Sequence, residues 1–314
     1  MYLHGSMTKL FTATAVMQLR ERGLVELDRP VRNYVQDFPL SSISGREITV
    51  RHLLSHSSGI ANPLPIKWVH LADEPAVTLD VLTNQLLNKY QRLTFEPGSR
   101  YAYSNLGYLV LGQVVERVSG ESFPQYVQRH ILDVLDMRRT GFSYAHLHDQ
   151  NVATGYARSF NLLTILAHFM IGRRIWGASR DGYAGFQHFL IDGSPYGGLL
   201  GSATDLGNFM QAYLHGGTFQ GRQLLEASSV EEMWMAHRDN QGKEFVIERP
   251  MPRNVGLGWH LDGSEETRHC YHLGNAGGFL NEVRLYPKLN YGIAALGNET
   301  SYDTGVATNL IVTK

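Results

Sequence analysis

Gly5-Ser6-Met7-Thr8-Lys9, followed by the apolar helical run from Leu10 to Glu21, is the stretch on which the reading of this chain turns. At the start of a helix, Ser6 and Lys9 fall one turn apart and share a face, with about 5–6 Å between Cβ atoms. A serine hydroxyl is a weak nucleophile at its own pKa, and an amine of lowered pKa can take its proton as it attacks a carbonyl. The free N–H groups and positive dipole end of the helix favour the negative charge that develops. Alone, the tetrad says little, because Ser at a helix start is commonly an N-cap and Lys a solvated surface residue.

Two further segments give it company. Phe95-Glu96-Pro97-Gly98-Ser99-Arg100-Tyr101-Ala102-Tyr103-Ser104-Asn105 has turn chemistry at Pro97-Gly98, then a Tyr-x-Asn at Tyr103 and Asn105. The apolar run that follows, Leu106 to Val118, reads as a buried helix, so the Tyr-x-Asn belongs to a loop held against a rigid element. A phenol near a lysine ammonium can have its pKa lowered and carry protons, while an Asn amide can orient the lysine and bind a substrate carbonyl. The plainer alternative is a tyrosine that packs the loop. Late in the chain, Tyr271-His272-Leu273-Gly274-Asn275-Ala276-Gly277-Gly278-Phe279 lies between strand-like runs. Gly274 there lets a substrate backbone approach closely, and the Asn275 N–H can pair with that of Ser6 as an oxyanion hole. Read plainly, these glycines are hairpin punctuation and His272 is a strand residue.

Taken together, the three pieces resemble the serine β-lactamase and penicillin-binding protein superfamily, in its class C-like branch. That branch includes class C β-lactamases, DD-peptidases, D-amino-acid-specific peptidases and family VIII carboxylesterases. Its signatures, Ser-x-x-Lys, Tyr-x-Asn and Lys-Thr-Gly or His-x-Gly, occur here in the same chain order. Ile48 through Ile60, Phe95 through Phe142 and Gly197 through Leu206 are similar to further stretches of the branch. The resemblance implies an α+β, β-lactamase/transpeptidase-like fold: a mostly helical lobe, and an antiparallel sheet with flanking helices. It implies one catalytic domain over 1–314, with the helical lobe at about 24–250 and the Ser-x-x-Lys helix and sheet at 1–23 plus 251–314.

By the same resemblance, Ser6 is the acylated nucleophile, Lys9 its activating base, Tyr103 the proton carrier towards Lys9 and the leaving group, and Asn105 an orienting amide. His272, Gly274 and Asn275 bind and orient substrate. His272 stands where β-lactamases of the branch usually have lysine. Largely neutral at pH 7, it offers a substrate carboxylate less than an ammonium would, which tilts the expectation towards esters or peptides. The branch also has several dozen residues before the nucleophile, forming a helix and two strands of the main sheet, where this sequence has five. The apolar strand Tyr291 to Leu296 is therefore expected to have an open edge, covered by a homo-oligomer partner or a rearranged segment, unless the sequence is truncated.

Composition fits an enzyme with a large core. The chain has 314 residues, 43% of them hydrophobic, and a formal net charge of -1 that gives no general attraction to nucleic acid or anionic membrane. Cys270 is the sole cysteine, which excludes an intramolecular disulfide and reads as a small packed hydrophobe. No signal peptide precedes the first motif, so a cytoplasmic location follows if the N-terminus is genuine, and a periplasmic or secreted one if an export signal has been lost. Helices are expected at Leu10 to Glu21, Val31 to Val35, Val50 to Leu54, Leu79 to Tyr90, Leu106 to Val118, Phe123 to Val134 and Thr204 to Leu214. Strands are expected at Val255 to Leu261, Thr267 to His272, Leu280 to Tyr286 and Tyr291 to Leu296. Asp303 to Lys314 reads as the beginning of a packing helix.

Phe160 to Gly172 is apolar but too short for a membrane span of about 20 residues, and is expected to wall the substrate cleft, form a core helix or make a dimer contact. Of 14 histidines, His52 and His56 have helical spacing but lack the intervening glutamate of a zinc peptidase helix, and His269 with His272, or His146 with His148, need further ligands. No metal or cofactor is expected. The chain thus reads as a serine hydrolase forming an acyl-enzyme on Ser6, first as a carboxylesterase on short to medium acyl esters with weak β-lactam turnover. The rivals are a DD-peptidase, D-aminopeptidase or class C-like β-lactamase, and a non-catalytic penicillin-binding or regulatory module. The substrate is a small ester, amide or β-lactam.

Overall fold

Helix α1 (Thr8–Glu21) is the axis around which the rest is laid, and every residue from Thr8 to Leu19 in it is buried. A computed structural model defines this arrangement for residues 1–144, 151–160, 164, 171, 173–245, 247 and 254–309. A helix buried all round must find partners for its polar side chains, since an unsatisfied buried donor or acceptor costs about 1–3 kcal/mol. The Thr12 hydroxyl donates to the Pro195 carbonyl at 2.6 Å, Thr14 pairs with the Tyr213 hydroxyl at 2.7 Å, and Gln18 donates to the carbonyls of His130 and Leu224. The helix starts two residues before the expected Leu10 and is preceded by a tight 3-10 turn, Gly5–Met7, that carries Ser6.

Helices α2 (Val50–Leu54), α3 (Leu79–Lys89) and α4 (Asn105–Ser119) are capped by Thr49, Thr78 and Ser104, each accepting a backbone N–H with its side chain. In α2 the box is completed by His52, whose Nδ1 accepts the Thr49 N–H, so this histidine serves the helix start. Helix α5 (Phe123–Val127) was expected to run to Val134. It passes instead into a π turn, Gln128–Leu132, with the Asp133 N–H reaching back five residues to the Gln128 carbonyl at 2.9 Å. Val31–Asn33 forms only a 3-10 turn. Helix α1 lies against α4, which also contacts α2 and α3.

The strands in chain order are β1 (Tyr2–Leu3), β2 (Val69–Leu71), β3 (Tyr156–Arg158), β4 (Tyr183–Gly185), β5 (Phe189–Ile191), β6 (Leu200–Gly201), β7 (Thr218–Phe219) and β8 (Arg222–Gln223), which form four two-stranded ribbons. Then come β9 (Asn254–Val255), β10 (His260–Asp262), β11 (His269–Ala276), β12 (Phe279–Tyr286) and β13 (Tyr291–Gly297), an antiparallel sheet in the order β13-β12-β11-β10-β9. The fold is thus α+β of the β-lactamase/transpeptidase kind, with β13 at a sheet edge against the helix Ala203–Leu214. The expected single strand Val255 to Leu261 is split at Gly256 to Trp259. Gly258 has φ +83°, and a Cβ there would stand 2.6 Å from the Ala13 Cβ, so the strand breaks where it presses onto α1. Strand β10 pairs with β11 only from Asp262↔His269 to His260↔Tyr271, and beyond it the turn Gly5–Met7 lies along β11. Among the described residues no helix is long and apolar enough to cross a membrane. The apolar stretch 160–172 is described only at Phe160, Thr164 and Ile171, and His146 and His148 lie outside the described residues.

Candidate active site

Lys9 is wholly buried, and its Nζ lies 3.2 Å from Ser6 Oγ, 2.8 Å from Asn105 Oδ1 and 2.7 Å from the Tyr196 carbonyl oxygen. All three are uncharged oxygens. Burial without an anionic partner holds the Lys9 pKa well below the usual ammonium range. The Asn105 and Tyr196 oxygens can only accept, whereas the Ser6 hydroxyl can also donate, so a neutral amine meets all three by giving two hydrogen bonds and taking one. The acceptor at Tyr196 comes from the turn Ser194–Tyr196, which α4 admits by having glycine at 112: a Cβ there would fall 2.1 Å from Pro195 Cγ. Asn105 is the first residue of α4, not part of the preceding loop as expected, and Asn62 fixes it by accepting its N–H at 3.0 Å.

Tyr103 stacks its ring 4.9 Å beneath Lys9 Nζ. The expectation of a phenol made acidic by the lysine does not hold. Burial raises its pKa, so the group is a phenol at neutral pH. His56 backs it with ring centroids 4.3 Å apart, while its Nδ1 accepts the Ser104 N–H at 3.1 Å and its carbonyl accepts the Ala102 N–H at 2.8 Å. That residue has φ +55°, a left-handed conformation that a side chain adopts at a cost of about 1–2 kcal/mol. The segment after α2 is thereby the buttress of the tyrosine loop.

The third segment runs inside β11. A Cβ on Gly274 would fall 2.0 Å from the His4 carbonyl oxygen, and one on Gly5 would meet the Asn275 backbone at 2.9–3.0 Å. Gly274 thus brings the turn that carries Ser6, and not a substrate, against the strand, and the backbone of Asn275 lies beside that turn. His272 is buried, with Nδ1 2.7 Å from the Leu273 carbonyl, and its ring stacks on His260 at 4.7 Å and 16°. Burial and then the charge of Lys9 push His260 down to about 4, and burial, His260 and Lys9 push His272 well below the usual imidazole range, so neither is a cation at neutral pH. Among the described residues no group of three His, Cys, Asp or Glu side chains could hold a metal ion.

The structure therefore brings Ser6, Lys9, Tyr103, Asn105 and His272 together around one point, with Gly274 and Asn275 forming the strand beside it. His56, Asn62, Tyr196 and His260 were not assigned from sequence. The signals available were the place of His56 within the stretch Ile48 through Ile60 and that of His260 near the end of an expected strand. A cavity of about 170 Å³ opens beside Asn275 and Tyr196, walled by Ile66, Val69, Phe189 and Ile191. A larger one of about 1090 Å³, near His70 and Asp192, holds none of the motif residues.

A family model described as Beta-lactamase matches residues 1–312. The protein flp of Staphylococcus aureus strain MW2 is 24% identical over 306 residues, covering 96% of this chain and 53% of flp, so the chain spans about half the length of that relative. The octameric penicillin-binding protein homologue from Pyrococcus abyssi superposes with a TM-score of 0.76 at 25% identity, over 100% of this chain and 66% of that one. The D-amino acid amidase from Ochrobactrum anthropi SV3 does so with a TM-score of 0.72 at 20% identity, over 96% and 78% of the respective chains.

Proposed function

The chain belongs to the Beta-lactamase family, and we propose that within it this protein is a serine hydrolase that forms an acyl-enzyme on Ser6, acting first on carboxylic esters of short to medium acyl groups. The observation that carries this is the Lys9 amine, buried among uncharged oxygens and 3.2 Å from Ser6 Oγ. As Ser6 Oγ bonds to the ester carbonyl carbon, its proton passes to Lys9 Nζ. The N–H groups of Ser6 and Asn275 receive the oxyanion, a contribution of about 3–4 kcal/mol per donor. When the C–O bond to the leaving alkoxide breaks, the Tyr103 phenol supplies its proton and regains one from the Lys9 ammonium. Water then cleaves the acyl-enzyme.

Esters are favoured over carboxylate-bearing β-lactams because His272, buried and neutral, supplies no fixed cation. The 170 Å³ cavity suits an acyl group of up to about benzene size, since an apolar cavity of about 150 Å³ can bind benzene. A D-amino acid amide is the rival substrate, supported by the likeness to the Ochrobactrum amidase and limited by it to a shared fold. The test combines p-nitrophenyl butyrate hydrolysis by wild type and Ser6→Ala with intact mass after a fluorophosphonate and after a penicillin. Ser6-dependent turnover of the ester exceeding that of D-phenylalanine amide supports the esterase, and the reverse order supports the amidase. A lasting penicillin adduct without turnover supports a binding module, and no adduct with either reagent removes the acyl-enzyme.

A further inference from the structure

We propose that His260 and His272 together seat the water molecule that breaks the acyl-enzyme, which makes His260, outside all three motifs, a positioning residue for deacylation. This rests on the acyl-enzyme described above. The Leu273 carbonyl 2.7 Å from His272 Nδ1 can only accept, so the neutral ring carries its proton on Nδ1 and its lone pair on Nε2. That Nε2 is buried and meets no hydrogen-bonding group among the described residues, and the same is true of both ring nitrogens of His260. Each such atom destabilises the fold while it is left unsatisfied. Three in one stacked pair therefore form a place to be filled, where Nε2 of His272 needs a donor and neutral His260 offers one N–H and one lone pair. A small hydroxylic molecule supplies an O–H to the first and a lone pair to the second.

The pair stands at the reacting centre. His272 and Gly274 share a face of β11, Gly274 abuts His4, and the Tyr103 ring is 6.4 Å from each imidazole. With the water held there, its oxygen bonds to the acyl carbon while one proton passes to the Lys9 amine, and its other O–H stays hydrogen-bonded to His272 Nε2. The tetrahedral species collapses by breaking the C–Oγ bond, Ser6 Oγ takes the proton from the Lys9 ammonium, and the carboxylic acid leaves.

His260→Phe keeps the flat ring and removes both nitrogens. With p-nitrophenyl butyrate, kcat should fall about 10- to 100-fold, as for a misplaced reactant. The value of kcat/KM, which reports acylation, should stay within about twofold, so KM falls in parallel and a burst appears. Intact mass should show butyryl-Ser6 accumulating, and His260→Gln, which keeps a donor, should recover part of kcat. Equal losses in kcat and kcat/KM, or no loss in either, overturn the water seat. Should His260→Phe lose its cooperative thermal transition, His260→Leu, which also removes both nitrogens, is measured in the same assays with the same expectation. Turnover that survives Ser6→Ala instead sinks the acyl-enzyme itself, so the two failures are distinct.

Discussion

Around Lys9, one amine meets three oxygens, and the helix that presents Asn105 is itself pinned by Asn62. Beside the Tyr103 ring, around His260 and His272, three buried ring nitrogens meet no hydrogen-bonding group among the described residues. Both regions are desolvated and both exclude a permanent positive charge, since the amine and the imidazoles are all pushed towards their neutral forms. The difference is one of completeness. The lysine pocket is finished before any substrate arrives and is poised for a proton, whereas the histidine corner is finished only by what binds in it.

Lys9→Met should break the first region outright. Removing the base is expected to lower kcat/KM for p-nitrophenyl butyrate by about 10³-fold or more, and a thermal melt should remain cooperative but shift down by a few degrees, because the buried Asn105 and Tyr196 oxygens lose their donor. Retained activity would separate Ser6 from Lys9. Asn105→Asp, next in size, places a carboxylate 2.8 Å from Nζ and raises the lysine pKa by about 1–3 units. Only the deprotonated amine can accept the Ser6 proton, so the rising limb of the kcat/KM–pH profile should move upward by that amount, with activity lost on the acid side of the new limb. His272→Lys tests whether the corner excludes carboxylates: penicillin acylation of Ser6, followed by mass, should quicken about tenfold through one charge-assisted hydrogen bond.

The smallest effect concerns protons on the folded chain. Unfolded histidines protonate near 6.5, whereas folded His52, His237 and His260 do so only near 4, so the native state binds fewer protons between these values. Stability is therefore full above about pH 6.5 and is lost as pH falls towards about 4. Melting temperatures measured from pH 7.5 to 4.5 should decline through that window, and in His260→Gln the decline should be shallower by about 2–4 °C. A profile unchanged by the substitution would mean that His260 is not buried as a neutral ring.

Ser6, Lys9, Tyr103, Asn105 and His272 could be picked out in the sequence because three short motifs stand in the chain order of a family that they resemble, although none of the spacings says much alone. Tyr196 and His260 could not. The Tyr196 carbonyl comes to Lys9 from 187 positions away, and a backbone oxygen has no letter of its own in the sequence. His260 looked like the end of a single strand, which in fact breaks at Gly258 where the chain crosses α1. The misjudged phenol of Tyr103 has a similar origin: a nearby lysine is visible in the motif order, but full desolvation, which outweighs it, appears only once the loop is closed under His56. Element boundaries went astray where tertiary contact decides them, as at the π turn after α5 and at the start of α4.

The contact between position 274 and the His4 carbonyl limits how such an enzyme can diversify. Any side chain there would wedge the turn that carries Ser6 off the sheet, so libraries randomised at 274 should return glycine whatever activity is selected. Leu273, 39% exposed one residue earlier, bears no such restriction, and new selectivity is to be sought there.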